Sequence, residues 1–398
     1  MNPYRFNQLL AGLLLLNCLP VFAQTSVEKN KPSANFQPAF SGQTRIRAVK
    51  TNTPLSISVI NSKLESPWGI SAMPDGRFLI TQKEGTMVIL TADGKLAKKI
   101  DGLPKVDDSG QGGLLDVTLA PDFAKSRMVY WAYSEPQNKG VLLAIAKGKL
   151  ASNETSIENQ VIIYRATPAY NGKLQYGSRI VFDKNGNLFV STGERSGKDI
   201  RMQAQQLNSS LGKILHLKPD GKPVDNGPFS ANANARAEIY AYGLRNPDGL
   251  AINPQTGELW EAEFGPRGGD EVNIIKPGKN YGWPIITYGT EYSGAKVGDG
   301  IQQKAGMEQP IYYWNPSISP GSIAFYNHQH ISEWKGNLFV AALGGSHVIR
   351  LVIKNNKIIG EERLMEDKGE RFRDLVEGKD GALYTVTDSG NLYKITKK

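Results

Sequence analysis

The sequence predicts an all-β fold, a six-bladed β-propeller, and three observations carry that expectation. The 398 residues hold 42 glycines and 22 prolines, above the usual combined share of about 12% and as a turn-rich chain requires. From Leu55 onward, short alternating apolar runs are broken by Gly, Asp, Asn and Pro, with no long amphipathic helix between them. One hairpin pattern then recurs six times.

The chain begins with Arg5, an apolar run too short for a comfortable membrane span, and a small-residue cleavage pattern at Val21-Phe22-Ala23. Residues 1–23 read as a signal peptide. Residues 24–50 are polar, with few bulky apolar groups, and read as a flexible leader. Residues 51–398 read as one propeller domain.

The hairpin copies start at Ser66 (SPWGISAMPDGRFLITQ), Gln111 (QGGLLDVTLAPDF), Tyr176 (YGSRIVFDKNGNLFVSTGE), Gly243 (GLRNPDGLAINPQTGELWEAEF), Pro320 (PGSIAFYNHQHISEWKGNLFVAAL) and Arg371 (RFRDLVEGKDGALYTV). In each, a small residue precedes an apolar strand, a tight turn follows, and a second apolar strand ends near a polar residue. Gly and Asn suit the turns because they accept positive φ. Six four-stranded blades closing on a channel would bury faces that no single blade can cover. A stacked β-sandwich is the structural competitor. Asp183–Asn187 (DKNGN) resembles the start of a calcium loop but lacks the closing glutamate, so it reads as a hairpin turn.

Composition excludes several functions. Cys18, inside the expected signal peptide, is the only cysteine. A mature chain without it has no disulfide, thiolate nucleophile or zinc–thiolate site. The net charge of +9 comes from scattered lysines on an exported chain, which favours a solvated surface over nucleic-acid binding.

The chemistry concentrates in four places. The stretch EFGPRGGDEVNIIKPGKNYGWP, Glu263 to Pro284, is too irregular for a plain strand or helix. The carbonyls of Gly265 and Pro266, the carboxylates of Asp270 and Glu271 and the carbonyls around Tyr281 are hard oxygen donors that suit Ca²⁺. Gln111, the Arg245-Asn246 pair and the Arg371/Arg373 pair stand at the starts of the second, fourth and sixth copies. Arginines converging near the axis imply an anionic ligand, because guanidinium forks pair with carboxylates.

These motifs, in this order, resemble the soluble glucose/sorbosone dehydrogenase family, and most of all its bacterial periplasmic aldose sugar dehydrogenases. The likeness runs from Pro54 to the C-terminus. It implies a six-bladed propeller, Ca²⁺, and the tricarboxylic cofactor pyrroloquinoline quinone (PQQ). It implies oxidation of aldose sugars at the anomeric carbon, with an electron acceptor it does not identify. By resemblance, Gln111, Arg245, Asn246, Trp314, Arg371 and Arg373 are cofactor-contacting positions. Gly265 and Pro266 correspond to ligands of a cofactor-side Ca²⁺, and Glu271 and Tyr281 to a second calcium site.

Two positions depart from the family. Its catalytic histidine stands four residues before the arginine of its GSR or GGR motif; here Gln175 occupies that place, and an amide is too weak a base to take a proton. A basic residue that often pairs with the quinone is replaced by Gly344. His216 reads as a strand residue, His328 and His330 as a turn, and His347 as offset from the base position. Two readings follow: a dehydrogenase with another base, or a non-catalytic periplasmic propeller that binds a sugar, quinone or protein.

Overall fold

The computed structural model describes residues 25–398, so the expected signal peptide lies outside the described residues. Six four-stranded antiparallel sheets form the propeller. Strand β1 (Leu55–Asn61) comes first in the chain but belongs to the last blade. Blade one holds β2 (Pro67–Ala72), β3 (Phe78–Gln82), β4 (Thr86–Leu90) and β5 (Leu96–Ile100). Blade two holds β6 (Leu114–Leu119), β7 (Met128–Gln137), β8 (Gly140–Leu150) and β9 (Ile157–Arg165). Blade three holds β10 (Gly177–Phe182), β11 (Leu188–Thr192), β12 (Lys213–Leu217) and β13 (Ile239–Tyr242). Blade four holds β14 (Pro247–Ile252), β15 (Leu259–Glu263), β16 (Asp270–Ile275) and β17 (Tyr312–Trp314). Blade five holds β18 (Pro320–Phe325), β19 (Leu338–Ala342), β20 (His347–Lys354) and β21 (Lys357–Leu364). Blade six holds β22 (Phe372–Glu377), β23 (Leu383–Thr387) and β24 (Leu392–Lys397), with β1 on its outer edge.

Each predicted hairpin supplies the first two strands of a blade. The inner strands β2, β6, β10, β14, β18 and β22 touch in sequence, and β22 meets β2 to complete the ring. Closure comes from β1, which pairs antiparallel with β24 from Leu55↔Lys397 to Val59↔Tyr393. One blade thus joins the first and last strands, which clasps the ring shut.

Apolar side chains interlock between neighbouring blades. Trp68, Leu115, Tyr130, Val190 and Leu215 belong to one such core, and Trp260, Val272, Ile323 and Val340 to another. Burying each large side chain contributes roughly 1.5–3 kcal/mol. With no disulfide, these seams hold the ring. The turn at Asp183 is a hairpin as expected: its carboxylate accepts the N–H groups of Asn185 and Asn187, and His216 bonds its other oxygen at 2.9 Å.

Residues 25–50 are not a loose leader in this structure. Glu28 pairs with Arg363 at 2.7 Å, Ser33 N–H bonds Asn315 Oδ1, Gln43 Nε2 donates to Pro310 O, and Ala48 bridges Glu361. Polar composition concealed this because the segment is held mostly by an ion pair and hydrogen bonds to distant blades, with Ile46 packed against the seam of blades four and five.

Every inner strand is bulged near its start, between Pro67/Ile70, Leu114/Val117, Gly177/Ile180, Pro247/Gly249, Pro320/Ser322 and Phe372/Asp374. Bulges re-aim side chains, and here they surround the axis. The crowding is tight: a Cβ on Gly321 would lie 2.7 Å from Arg373 O.

Candidate functional site

The bulge of β10 places Arg179 where all six blades meet. Its Nη1 donates to Asp116 Oδ1 and Asp374 Oδ2, both at 2.8 Å. Its Nε donates to Asp248 O and its Nη2 to Gly321 O. The guanidinium also lies 4.5 Å from the centre of the Trp68 ring. Blades one, two, four, five and six thus all grip one side chain from blade three. Asp116 and Asp374 reach further, accepting the N–H groups of Ile180 and Ile70 in the next blades. Burial pushes the Asp116 carboxyl up to about 6, against the pull of Arg179.

Beside this hub opens a cleft of about 440 Å³, to which every blade contributes from the start of its inner strand or nearby. Trp68, Lys83, Gln111, Tyr176, Gly177, Asp248, Phe264, Tyr292, Arg371, Arg373 and Asp388 are among its lining residues. Arg371 Nε donates to Asp388 Oδ2, and Arg373 forks onto both Asp388 oxygens at 2.9 and 3.2 Å. Burial raises the Asp388 carboxyl, but Arg373 and Arg371 outweigh it and hold the group below its ordinary value. The side chain of Arg371 remains 53% exposed, so a ligand anion can reach it. Tyr292, 72% exposed, offers a flat face at the rim. Gly344 follows the cleft residue Leu343, and a Cβ there would approach Ser319 Oγ at 2.8 Å.

Gln175 stands behind the wall made by Tyr176 and Gly177. It is 4% exposed, with φ of 54°. Its N–H donates to Gln111 Oε1 at 2.6 Å, and its own Oε1 has no partner among the described residues. An orphaned buried amide oxygen of this kind is uncommon. No histidine is among the cleft's lining residues. His347 is buried against Gly345 O, and burial first, then Arg363, lower its pKa to about 4. His330 bonds Thr396 Oγ1.

Arg245 and Asn246 separate in space. Arg245 is buried, with Nη1 on the carbonyls of Phe264 and Gly265 and its Nε without a partner among the described residues. It lines a small void behind the cleft. Asn246 joins two walls: its Oδ1 accepts Gly177 N–H at 3.0 Å and its Nδ2 donates to Asp248 Oδ1 at 3.1 Å.

The Glu263–Pro284 stretch wraps that void, whose volume of about 10 Å³ matches one water or ion. Glu263, Gly265, Gly269, Glu271, Tyr281 and Thr287 line it with Arg245. Burial first, then neighbouring carboxylates, hold Glu271 well above the ordinary value, and burial pushes Glu263 to about 7. Among the described residues no group of three or more His, Cys, Asp or Glu side chains is disposed to hold a metal. A cation here would therefore rest on two carboxylates supplemented by backbone oxygens. The Gly265 and Pro266 carbonyls accept from Arg245 and from Ser317 Oγ (3.2 Å), which leaves each a second lone pair.

Two expectations need correction. Asp270 is not a free oxygen donor: it accepts the N–H groups of Gly265, Ile318 and Ser319, which staples the loop to blade five. Trp314 is not at the cleft mouth. It is buried between blades four and five, edge-on to Tyr312, with its indole N–H toward Glu361 Oε2 at 3.3 Å. It ends β17, the outermost strand of its blade, and is not among the residues lining the cleft.

Sequence reasoning missed Asp248, Asp388, Tyr292 and the roles of Trp68 and Arg179. A signal for the axis was present: Asp116 and Asp374 are the third residues of β6 and β22, as Arg179 is of β10, while Asp248 stands one place earlier in β14.

Fold and cleft define a six-bladed propeller whose inner strands converge on a cleft lined by Gln111, Lys83, Arg371 and Arg373. The glucose/sorbosone dehydrogenase family profile matches residues 64–394. The aldose sugar dehydrogenase YliI of Escherichia coli is 40% identical over 349 residues, 86% of this chain and 93% of the relative. The crystal structure of the soluble aldose sugar dehydrogenase from Escherichia coli in its apo form superposes with a TM-score of 0.83 at 38% identity, covering 86% of this chain and all of the other. The PQQ-bound aldose sugar dehydrogenase of Streptomyces coelicolor gives 0.71 at 27% identity, covering 88% and 100%. The chain belongs to the glucose/sorbosone dehydrogenase family.

Proposed function

We propose that this protein is a PQQ- and Ca²⁺-dependent dehydrogenase that oxidises aldose sugars at the anomeric carbon. The observation that carries the reading is the convergence of Gln111, Arg371 and Arg373 on one cleft at the propeller axis. A tricarboxylate fits this chemistry: two arginines already arranged by Asp388 offer charge-assisted donors. Tyr292, exposed at the rim, offers an aromatic face for a flat cofactor or a sugar ring, beside the largely buried Trp68 and Tyr176. By resemblance the Gly265 and Pro266 carbonyls would hold a cofactor-side cation; the void behind the cleft has room for one cation, resting on Glu263 and Glu271 with the Tyr281 backbone. When bound, the quinone supplies a two-electron acceptor and Ca²⁺ polarises it. The signal-peptide pattern supports export to the periplasm, and no helix among the described residues is long and apolar enough to span a membrane. Sugar-dependent reduction of a dye by quinone-loaded protein tests the reading; quinone bound without turnover refutes it.

Gln175 and Gly344 favour a second reading, a non-catalytic propeller that binds sugar, quinone or a protein. It predicts ligand binding without turnover.

A further inference from the structure

We propose that Asp248 is the general base of this site, with its Oδ2 taking the proton of the anomeric hydroxyl in place of the histidine expected at position 175. The inference rests on the dehydrogenase reading above.

Asp248 and Asp388 are the carboxylates among the cleft-lining residues. Asp388 is committed to Arg371 and Arg373. Asp248 is not: among the described residues its carboxylate takes one hydrogen bond, from Asn246 Nδ2 to Oδ1. Asn246 also holds Gly177 N–H, so one amide ties Asp248 to the segment that carries Gln175. The carboxyl therefore lies beside the place where the family's base was expected, on the ligand side of the wall rather than behind it.

The surrounding charges oppose one another. Arg373 and Arg179 favour the anion, while Asp116 and Glu261 disfavour it and Asp374 is held on Arg179. Burial outweighs them and pushes the Asp248 carboxyl up to about 7. A base of that strength is part ionised at neutral pH and strong enough to assist proton removal. Gln175 offers only an amide oxygen. The reaction balances: the O1–H proton passes to Asp248 Oδ2, the C1–H bond breaks with its electron pair to an ortho-quinone acceptor, and C1=O forms.

The test uses the full mature chain with PQQ and Ca²⁺, as wild type, Asp248→Asn and Asp248→Ala. Asn keeps the side-chain shape and the backbone carbonyl that Arg179 binds. Four readouts are taken: quinone affinity by fluorescence quenching, kcat against pH, rescue by formate, and the carboxyl infrared band of the ligand-free protein against pH. The expected result is quinone affinity retained, kcat lowered about 10²–10⁴-fold and loss of the acidic limb near pH 7. Formate should partly rescue the Ala variant, and the wild-type-minus-Asn difference spectrum should show one carboxyl band titrating near pH 7, over the background that Glu194 and Glu263 give in both proteins. Wild-type turnover matched by Asp248→Asn, or a wild-type-minus-Asn carboxyl band that titrates near pH 4, overturns this inference alone. Wild type that binds quinone without turning over overturns both it and the dehydrogenase reading.

Discussion

Replacing Arg179 with Met removes the one side chain that all six blades share. The substitution keeps most of the apolar stem and deletes the charge and four hydrogen bonds. Asp116 and Asp374 then share no cation, each with a nearly buried side chain. Breaking one buried pair in this way costs about 3–5 kcal/mol. The Asp248 and Gly321 carbonyls lose their donors as well, at about 1–3 kcal/mol each if water cannot reach them. These terms overlap, because the carboxylates can protonate: Asp116 already stands at about 6, and neutralisation at pH 7 costs about 1.4 kcal/mol per unit. A net loss of about 4–6 kcal/mol is expected, a large part of the 5–15 kcal/mol typical of a folded domain. Guanidinium denaturation of the ligand-free chain measures it. Adding Asp116→Asn and Asp374→Asn should recover about 2 kcal/mol by removing the stranded charges. A single variant within about 1 kcal/mol of wild type, or a triple variant no better than the single, would refute the view that a buried ion cluster holds the axis.

Stability should also vary with pH. Asp116 stands at about 6, and Asp248 and Glu194 at about 7, each raised chiefly by burial. Groups raised in this way contribute stability below their unfolded pKa and lose it as pH rises through the folded value. His347, lowered to about 4 by burial, opposes them below about 6.5. The Tm of the ligand-free protein should therefore rise from pH 8 to pH 5.5; a steady fall contradicts the assignment. Arg371→Ala and Arg373→Ala should each weaken PQQ binding about 10–100-fold, since hydrogen bonds to charged groups contribute about 1.5–3 kcal/mol; calorimetry with unchanged affinity would place the cofactor elsewhere. Gln175→His should create or greatly raise sugar oxidation in a chain that binds quinone but does not turn over, and no gain with quinone bound would remove position 175 as the site of any loss. Gly177→Ala forces a side chain at φ of +66°, 2.8 Å from Gly193 N, and should lower both Tm and quinone affinity; a variant indistinguishable from wild type in both would refute the need for glycine in that wall.

The hairpins were legible because apolar alternation and turn residues are local properties. So was the placing of Gln111, Arg371 and Arg373 near the starts of their repeats, although Gln111 precedes β6 by three residues while Arg371 and Arg373 flank the first residue of β22. What lay beyond the sequence depends on partners distant along the chain. β1 pairs with β24 across the whole propeller, and residues 25–50 are ordered by contacts such as Glu28 with Arg363. Trp314 was placed at the cofactor by resemblance alone, yet it ends an outer strand and fills a seam between blades. Asp270 and Glu271 are adjacent, but strand alternation turns one to backbone N–H groups and the other to the void. Asp248 was hidden in a turn-like Asn-Pro-Asp-Gly run; only the bulge of β14 shows that it lines the cleft.

The most direct test of the account is a titration of the mature protein with PQQ in excess Ca²⁺, following cofactor binding and aldose-dependent dye reduction in one sample. The account predicts turnover that rises in step with bound quinone and stops when Ca²⁺ is removed. Saturated quinone binding with no sugar oxidation, or no quinone binding at all, would contradict it.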